Sequence, residues 1–328
     1  MASDCDNEEK TIRVLDFFER LHKGDIVSKT LEAERYGMTT KTVQRDIQTI
    51  NKYLLKMYGA DSSCNVKYSK PHNGYRMERQ KHSWLTGEEI LSIAKVLLES
   101  RAFSKNEMII LLDKLSIQCA AEECKHIKEV IRNERHHYIP TQHNQMLGEK
   151  IWQLSLAVRE QRMLTIHYQK EQDKTIVERI VEPQGIIFSE YYFYLIAYIH
   201  GKDYEFPAIY RLDRIHEYCV LDAHFRVQQA KRFEEGEFRK RVQFMTSGNL
   251  LRIRFKFWGK SLDAVLDRLP TARVLSQDGN IAVVEAEVYG RGIKMWLLSQ
   301  AEFLEVLEPQ ELREEMQGTI MGMLKHYL

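Results

Sequence analysis

The chain has 328 residues, 44% of them hydrophobic and 29% charged, which is the composition of a globular protein with roughly two to four domains. No apolar run reaches the roughly 18 residues that a membrane span requires, and the acidic start lacks the apolar segment of a signal peptide. The five cysteines have no regular spacing, which argues against a disulfide framework and favours a cytoplasmic protein.

Residues 1–80 have the pattern of three helices followed by a β-hairpin. The first predicted helix covers residues 11–22, and the second covers residues 28–36 and ends at Gly37. The third follows Thr39, which is a natural N-cap. Inward-facing stripes are expected on the first and third helices: Ile12, Leu15, Phe18 and Leu21 on the first, and Val43, Ile47, Ile50 and Leu54 on the third.

The third predicted helix also has a polar outer face. A short helix, a tight turn and a capped helix of this kind are typical of the helix-turn-helix, and the hairpin at residues 65–77 would be the wing of a winged form. Residues 1–37 contain six Lys and Arg against nine Asp and Glu, whereas residues 38–79 contain eight against three, so the basic excess is local. An ordinary solvated helix and hairpin, with Arg45 paired to Asp46, is the alternative. The predicted DNA-binding side chains are Thr39, Thr40, Lys41, Thr42, Gln44, Arg45, Gln48, Lys67, Lys70, His72, Asn73, Tyr75 and Arg76.

Residues 81–147 predict a helical connector, which is either a dimerisation and transmission element or a passive spacer. Thr86 and Glu89 have the spacing of a capping box at the start of its first helix. Further helices are expected at about residues 105–117 and 121–134. No metal is predicted, because the connector's cysteines and histidines lack the spacing of a zinc site; these are Cys119, Cys124, His126, His136, His137 and His143.

Residues 148–224 predict one helix and about five short strands, which suit a small closed barrel. The helix is expected to bury Trp152, Leu154 and Leu156. Proline at position 183 is expected to end the second strand. The expected strands are residues 163–169, 175–181, 186–199 and 204–215, with a turn at residues 200–203.

Two arginines, Arg211 and Arg214, lie in the last of these strands among apolar neighbours. Because arginine is seldom buried unpaired, they indicate either a receptor for an anion or an internal pairing, for example with Asp213 or Glu205. Strand alternation places Arg211 and Asp213 on one face and Arg214 on the other. Both arginines can reach one ligand only if a bulge intervenes or if the pocket lies at the rim of the barrel; otherwise we expect Arg211 to bind the ligand and Arg214 to be structural.

Residues 225–248 predict a charged, largely helical linker, and residues 249–328 predict a ferredoxin-like βαββαβ unit with a terminal helix. The whole chain is thus expected to be a multidomain α+β protein. The expected elements of the last unit are a strand at 251–258, a helix at 261–269, strands at 272–277 and 281–289, a helix at 292–301, a strand at 303–307 and a helix at 311–327.

Several segments resemble parts of a known family. Phe193-Tyr194-Leu195 stands where the WYL domain has its Trp-Tyr-Leu triplet, and Tyr210-Arg211-Leu212-Asp213-Arg214-Ile215 resembles the second signature of that domain. Met295-Trp296-Leu297-Leu298-Ser299 resembles the WYL C-terminal extension, and residues 38–47 resemble the recognition helix of DeoR-type regulators. The resemblance implies an Sm- or SH3-like barrel in a bacterial transcription regulator, where it senses a ligand that is often nucleic acid or nucleotide-like.

The predicted function is a sequence-specific transcriptional regulator that binds double-stranded operator DNA as a homodimer, because one winged helix contacts only a half-site. No nucleotide-hydrolysis or protease motif is present, so neither catalysis nor a cofactor is expected. The alternatives are a nucleic-acid-binding accessory factor in DNA repair or phage defence and a nucleotide-processing enzyme. Arginine forks fit phosphate and aromatic rings stack on bases, so we expect a nucleotide or single-stranded nucleic acid as effector, bound by Arg211, Arg214, Tyr194, Tyr168 and His167.

Overall fold

The chain is a multidomain α+β protein, as predicted, and its computed structural model divides into two compact units, residues 1–144 and residues 145–328. None of the helices in the described parts is long and apolar enough to cross a membrane. Tyr204 and Glu205, at the start of the last strand expected in the barrel, lie outside the described residues. The structure describes residues 2–22, 24–58, 65–78, 85–119, 121–203, 206–226, 233–246 and 248–328.

The first unit begins with three helices and a two-stranded antiparallel hairpin around one core. The third helix carries the predicted inward stripe, since Val43, Ile47, Ile50 and Leu54 are all buried. The hairpin strands add Val66, Tyr75 and Met77 to the same core. The elements are α1 (Ala2–His22), α2 (Lys29–Arg35), α3 (Thr40–Tyr58), β1 (Asn65–Ser69) and β2 (Gly74–Glu78).

The inward face predicted for α1 was wrong in part. Ile12 and Leu15 are exposed, whereas Phe17 and Leu21 are fully buried. A helix turns by about 100° per residue, so three successive steps of three residues rotate a stripe by about 180°. Ile12 and Leu21 therefore cannot share a face, and the buried row runs in steps of four through Arg13, Phe17 and Leu21.

Three further helices complete the first unit and share a separate core that includes Ile90, Leu112 and Ile131. The capping box is confirmed: the Glu89 amide donates to Thr86 Oγ1 at 3.3 Å, and the Thr86 amide donates to Glu89 Oε2 at 2.8 Å. Within the described ranges, no group of three His, Cys, Asp or Glu side chains has the arrangement of a metal site. The helices are α4 (Gly87–Ser100), α5 (Lys105–Ser116) and α6 (Ala121–His136).

The second unit begins with a helix on a five-stranded antiparallel sheet in the order β6-β5-β4-β3-β7. Leu154 is buried as predicted, but Trp152 is exposed, because side chains two residues apart on a helix point in nearly opposite directions. A 3₁₀ turn at Leu212–Arg214 joins the last two strands. The elements are α7 (Gly148–Glu160), β3 (Arg162–Gln169), β4 (Ile176–Ser189), β5 (Tyr192–Ile199), β6 (Ala208–Arg211) and β7 (Ile215–His224).

Two strand boundaries differ from the predictions. Strand β4 continues through Pro183, which lies beyond the β3 ladder that ends at Val181, so its missing N–H leaves no β3 partner unsatisfied. The predicted strand 186–199 is instead two strands of a hairpin, because Glu190 takes a positive φ of 56° and turns the chain between them.

A short helix and a second sheet complete the unit. Helix α8 (Glu235–Arg241) is the only helical part of the predicted linker within its described residues. The sheet has the order β11-β8-β10-β9, and its helices cover one face around Phe255, Val284 and Trp296. The predicted order of strands and helices is confirmed: β8 (Leu250–Phe257), α9 (Leu262–Arg268), β9 (Arg273–Asp278), β10 (Ile281–Tyr289), α10 (Ile293–Ser299), β11 (Leu304–Glu308) and α11 (Gln310–Leu324).

Candidate nucleic-acid interface and anion site

The outer face of α3 carries polar side chains opposite the buried stripe. The helix is capped as expected, since the Thr42 amide donates to Thr39 Oγ1 at 3.3 Å and the two hydroxyls lie 3.0 Å apart. Thr42 is half-buried because of this contact. The exposed side chains of the face are Thr39, Thr40, Lys41, Gln44, Arg45 and Gln48.

The hairpin is held against the helices by backbone contacts. Val27, in the connection between α1 and α2, exchanges two backbone hydrogen bonds of 2.8 and 2.9 Å with Tyr75. The Asn51 side chain on α3 donates to the Val66 carbonyl and accepts from the Val66 amide. Gly74 permits the close approach, because a Cβ there would lie 2.4 Å from Ile26 Cγ2 and 3.0 Å from the Val27 oxygen.

One of the predicted DNA-binding residues of the hairpin does not lie on its outer surface. The Tyr75 ring lies in the core with 7% of its surface exposed, so it supports the hairpin and does not belong to its outer surface. The hydroxyl of Tyr68 donates to Asn73 Oδ1 at 2.8 Å, and Ser69 Oγ lies 2.9 Å from His72 Nδ1. The predicted hairpin contacts that are exposed are Lys67, Lys70, His72, Asn73 and Arg76.

Three basic side chains of this surface differ from most arginines elsewhere in the described residues, because they have no acidic partner there. Among the described residues, no carboxylate lies within ion-pair distance of Lys41, Arg45 or Arg76. The proposed brace between Arg45 and Asp46 is not formed, because Asp46 is 1% exposed and accepts a 2.8 Å bond from Arg13 Nε. The positive charge of the outer face is therefore available to an external anion.

A partly buried ion pair and a partly buried hydrogen bond join the helices that carry this face. Arg20 NH2 donates to Glu32 Oε1 at 2.7 Å, which joins α1 to α2, and the Tyr36 hydroxyl donates to Asp16 Oδ2 at 2.9 Å. The hydrogen bond to Glu32 raises the pKa of Arg20, although burial opposes the change. Burial and the bond to Asp16 raise the pKa of Tyr36, so both bonds persist at neutral pH.

In the second unit, Arg211 is held by an internal partner. Its Nε and NH2 atoms donate to the two Asp213 carboxylate oxygens at 3.1 and 2.7 Å, and Asp213 is almost completely buried. The guanidinium carbon lies 3.4 Å from the centroid of the Tyr192 ring. Burial lowers the pKa of Arg211, but the bonds and charge of Asp213 outweigh it and leave the pKa raised. The internal pairing that the sequence analysis left open is therefore present.

Side chains from helix α7 and from the segment just before it brace the 3₁₀ turn that carries these residues. Lys150 Nζ donates to the Leu212 and Ile215 carbonyls at 3.1 and 2.7 Å, and Gln145 donates to the Asp213 carbonyl at 3.0 Å. Burial lowers the pKa of Lys150, and the charge of Asp213 partly restores it. The turn is thus fixed by side chains from a different element.

Arg214 lies in the same turn, not in a strand as predicted, and has a different kind of partner. Its NH2 atom donates at 2.8 Å to Glu171, which lies in the exposed loop between β3 and β4. The bond to Glu171 raises the pKa of Arg214, burial opposes it, and the phenol of Tyr168 adds to the increase. The two arginines are close enough that the charge of Arg214 lowers the pKa of Arg211.

The remaining effector candidates lie in different places. Tyr194 is paired with Arg211 across the β5–β6 ladder and packs with the residues under α8, where burial raises its pKa to about 12. Tyr168 packs on the core-facing side, with its ring 4.9 Å from that of Tyr210, and its phenol lies close enough to Arg214 to raise the pKa of that arginine. His167 lies apart from both arginines, between Glu178 and Glu217.

The structure therefore assembles a smaller site than the one predicted, and it adds residues to it. Arg211 and Arg214 meet Asp213 at the 3₁₀ turn, and the predicted Tyr168 has its phenol near Arg214. Tyr192 and Glu171 are additions to the predicted set. Tyr192 alternates onto the same strand face as Tyr194, which is a signal that sequence reasoning can use. Nothing in the sequence indicates Glu171, because its contact depends on a turn 43 residues away.

Two known domain models match parts of this chain. The WYL domain model matches residues 149–220, and the WCX domain model matches residues 249–324. The first match covers the helix and five-stranded sheet that carry the arginine turn, and the second covers the four-stranded sheet and its helices. The chain thus contains a segment that matches the WYL domain, as its triplet and arginine motif indicated, followed by a segment that matches the WCX domain.

Two solved structures are similar to this chain at 16% identity. One is proteasome accessory factor B/C (PafBC) of Arthrobacter aurescens, with a TM-score of 0.30, and the match covers 98% of this chain and 48% of that one. The other is a CRISPR Cas-related protein, with a TM-score of 0.36, and the match covers 66% of this chain and 61% of that one. This chain thus spans about half the length of the first and less than two thirds of the second. No curated protein sequence matches it.

Proposed function

We propose that this chain is a DNA-binding transcriptional regulator whose WYL domain, as an Sm-like barrel, binds an effector and changes operator binding. In this proposal α1–α3 and the β1–β2 hairpin form a winged helix-turn-helix. The observation that carries the proposal is the exposed outer face of α3, where Lys41 and Arg45 stand without a carboxylate partner among the described residues. Unpaired basic side chains on one face of a capped helix fit the phosphates and base edges of a DNA groove.

The two parts of the face have different tasks in this proposal. Gln44, Arg45 and Gln48 lie one helical turn or less apart and reach base edges in the major groove. Lys70 and Arg76 on the hairpin contact phosphates, which position the protein without reading sequence. A single face of this kind covers a half-site, so we propose that the protein binds a symmetric operator as a homodimer.

The WYL domain supplies the sensor in this proposal. Its two neighbouring guanidinium groups and the Tyr192 ring suit a ligand with both a phosphate and a base, such as a nucleotide or a single-stranded nucleic acid. The proposal contains no catalytic step, because the sequence has no nucleotide-hydrolysis or protease motif.

The test is selection of bound fragments from the genomic DNA of the source organism, followed by titration of the best fragment. Recovery of one symmetric site is expected. Arg45→Ala should weaken its binding by about 1–3 kcal/mol and relax the preference at one base pair. The matched control is Arg132→Ala, which removes an exposed arginine from α6, outside the proposed face.

Equal losses for the two variants would remove Arg45 from the proposed contacts. Binding with no sequence preference would instead favour an accessory factor that coats nucleic acid without controlling a promoter. A uniform loss across all sequences, with a shallower salt dependence, would place Arg45 on a phosphate and not on a base.

A further inference from the structure

The two arginines of the WYL domain differ in how firmly their carboxylate partners are held. Asp213 is 7% exposed, lies two residues from Arg211 and fills two donor positions of its guanidinium. Glu171 is 73% exposed and fills one donor position of Arg214 from a loop. The two arginine side chains are similarly shielded, with 20% of Arg211 and 16% of Arg214 exposed, so the difference lies in their partners: Asp213 is enclosed and Glu171 is open to solvent.

The energetic difference between the pairs is large. Loss of one partner from a buried pair leaves an uncompensated charge in the protein interior, which strongly opposes exchange. Glu171 is exposed, so water solvates its carboxylate when it leaves, and an incoming anion then compensates the charge of the shielded Arg214. Arg214 can therefore exchange Glu171 for another anion, whereas Asp213 would remain buried without a partner if it left Arg211.

The loop that carries Glu171 can move without breaking the sheet. Residues 170–176 are all exposed, and the β3–β4 ladder begins only at Gln169 and Ile176. Asp173 closes the turn locally by accepting bonds from the Thr175 amide and hydroxyl at 3.1 and 2.7 Å. The carboxylate of Glu171 can thus swing away from Arg214 while every ladder bond is kept.

We propose that Arg214 is the ligand-contacting arginine of the WYL domain, and that Glu171 is an internal carboxylate which a phosphomonoester group of the effector replaces. This inference rests on the proposed effector function. It reverses the sequence prediction, since Arg211 becomes the structural arginine and holds the turn that presents Arg214.

The charges favour a phosphomonoester over a carboxylate. Glu171 is attached to the same chain, so it competes at an effective concentration on the order of millimolar or more. A free monocarboxylate has the same charge and gains nothing over it. A phosphomonoester carries up to two negative charges and offers two oxygens to the guanidinium fork, and the charge of Arg211 lies nearby.

The experiment is calorimetric titration of the full chain with a 5′-phosphorylated thymidine dinucleotide and, separately, with the same dinucleotide lacking the terminal phosphate. Glu171→Gln is expected to bind the phosphorylated probe about two- to fivefold more tightly than the parent, as expected for removal of an exposed competing ion pair. The matched control is Glu178→Gln, an exposed carboxylate of the same sheet that faces His167. Arg214→Gln should lose the preference for the terminal phosphate, and Arg214→Lys should keep part of it.

Each result has one meaning. If Glu171→Gln binds like the parent and Arg214→Gln loses binding, the role of Glu171 is overturned and the effector function stands. If Arg214→Gln binds like the parent and melts at the same temperature, Arg214 is not the contact. If neither probe binds the parent or Glu171→Gln, the nucleotide effector itself is wrong, and operator binding through α3 is then judged by its own titration.

Discussion

Arg211 and Arg214 should contribute differently to stability, because the carboxylate partner of Arg211 is buried and that of Arg214 is exposed. Arg211 compensates the buried charge of Asp213, so Arg211→Ala should lower the free energy of unfolding of the second unit by about 3 kcal/mol. Arg214→Ala should lower it by less than about 1 kcal/mol, because Glu171 is solvated without it. Thermal melts of both variants beside the parent measure the difference, and equal losses would contradict this division.

A second residue-level prediction concerns the pair that sets the rotation of α1. Arg13→Met leaves Asp46 buried without a partner, which should cost the first unit about 3 kcal/mol. Because the penalty comes from the carboxylate that is left behind, adding Asp46→Asn should restore part of the loss. Urea unfolding followed by helix signal measures both. A double variant no more stable than Arg13→Met alone would mean that the side-chain contact of Arg13 matters more than its charge.

Among the elements, the hairpin depends on the absence of a side chain at position 74. Gly74→Ala should destabilise the first unit by about 1–3 kcal/mol, since its Cβ meets Ile26 and the Val27 backbone. Gly318→Ala in α11 is the control, because no atom lies within 4 Å of its Cβ and alanine favours a helix by up to about 1 kcal/mol. Melting temperatures that fall for the first and hold or rise for the second are the expected result.

The contact between α5 and α6 should depend on pH. Arg135 binds both oxygens of Asp113 at 2.7 and 2.9 Å, and these bonds lower the pKa of that carboxyl below its ordinary value near 3.8. A carboxyl group whose pKa is lower in the folded chain than in the unfolded chain stabilises the fold at pH values above its unfolded pKa. This stabilisation is lost as the pH falls through its folded pKa. Asp113→Asn should therefore cost at most about 1 kcal/mol at pH 7 and nothing in strong acid.

The pH test compares unfolding of the parent and Asp113→Asn across the acid range. Arg135 and Asp113 are both partly exposed, so added salt should reduce the difference at pH 7 as well. A difference that is the same at pH 7 and pH 2 would indicate that the asparagine changes packing and not the ion pair.

The sequence predicted those elements whose pattern is local. The α3 stripe, its Thr39 cap and the Thr86–Glu89 capping box follow from spacing within one helix, and all are observed. The face predicted for α1 failed for a local reason, since Ile12 and Leu21 lie on opposite sides of a helix. The end of strand β4 could not be predicted locally, because the strand passes Pro183 only where the neighbouring ladder has already ended.

At the scale of the whole molecule, contiguous motifs predict the WYL domain, but they do not predict how the arginines of its site are paired. The triplet around Tyr194 and the arginine motif are each contiguous in the chain, so the sequence is sufficient to indicate the WYL domain. The pairing of each arginine is a property of the folded chain. The sequence predicted Arg214 in a strand, on the face opposite Arg211. It lies instead in a 3₁₀ turn braced by Lys150 and donates a hydrogen bond to Glu171, 43 residues away.

The packing of α8 has a practical consequence for anyone who wishes to isolate the WYL domain. Ile187 and Ile196, on the outer face of the five-stranded sheet, are covered by Phe238 and Val242, which lie beyond the last residue of the family match. A fragment ending at residue 224 would present this bare apolar surface to water and should aggregate on concentration. A fragment extended to residue 246 includes the Phe238 and Val242 side chains that pack on this surface. Light scattering should therefore find it monodisperse at concentrations where the shorter fragment precipitates.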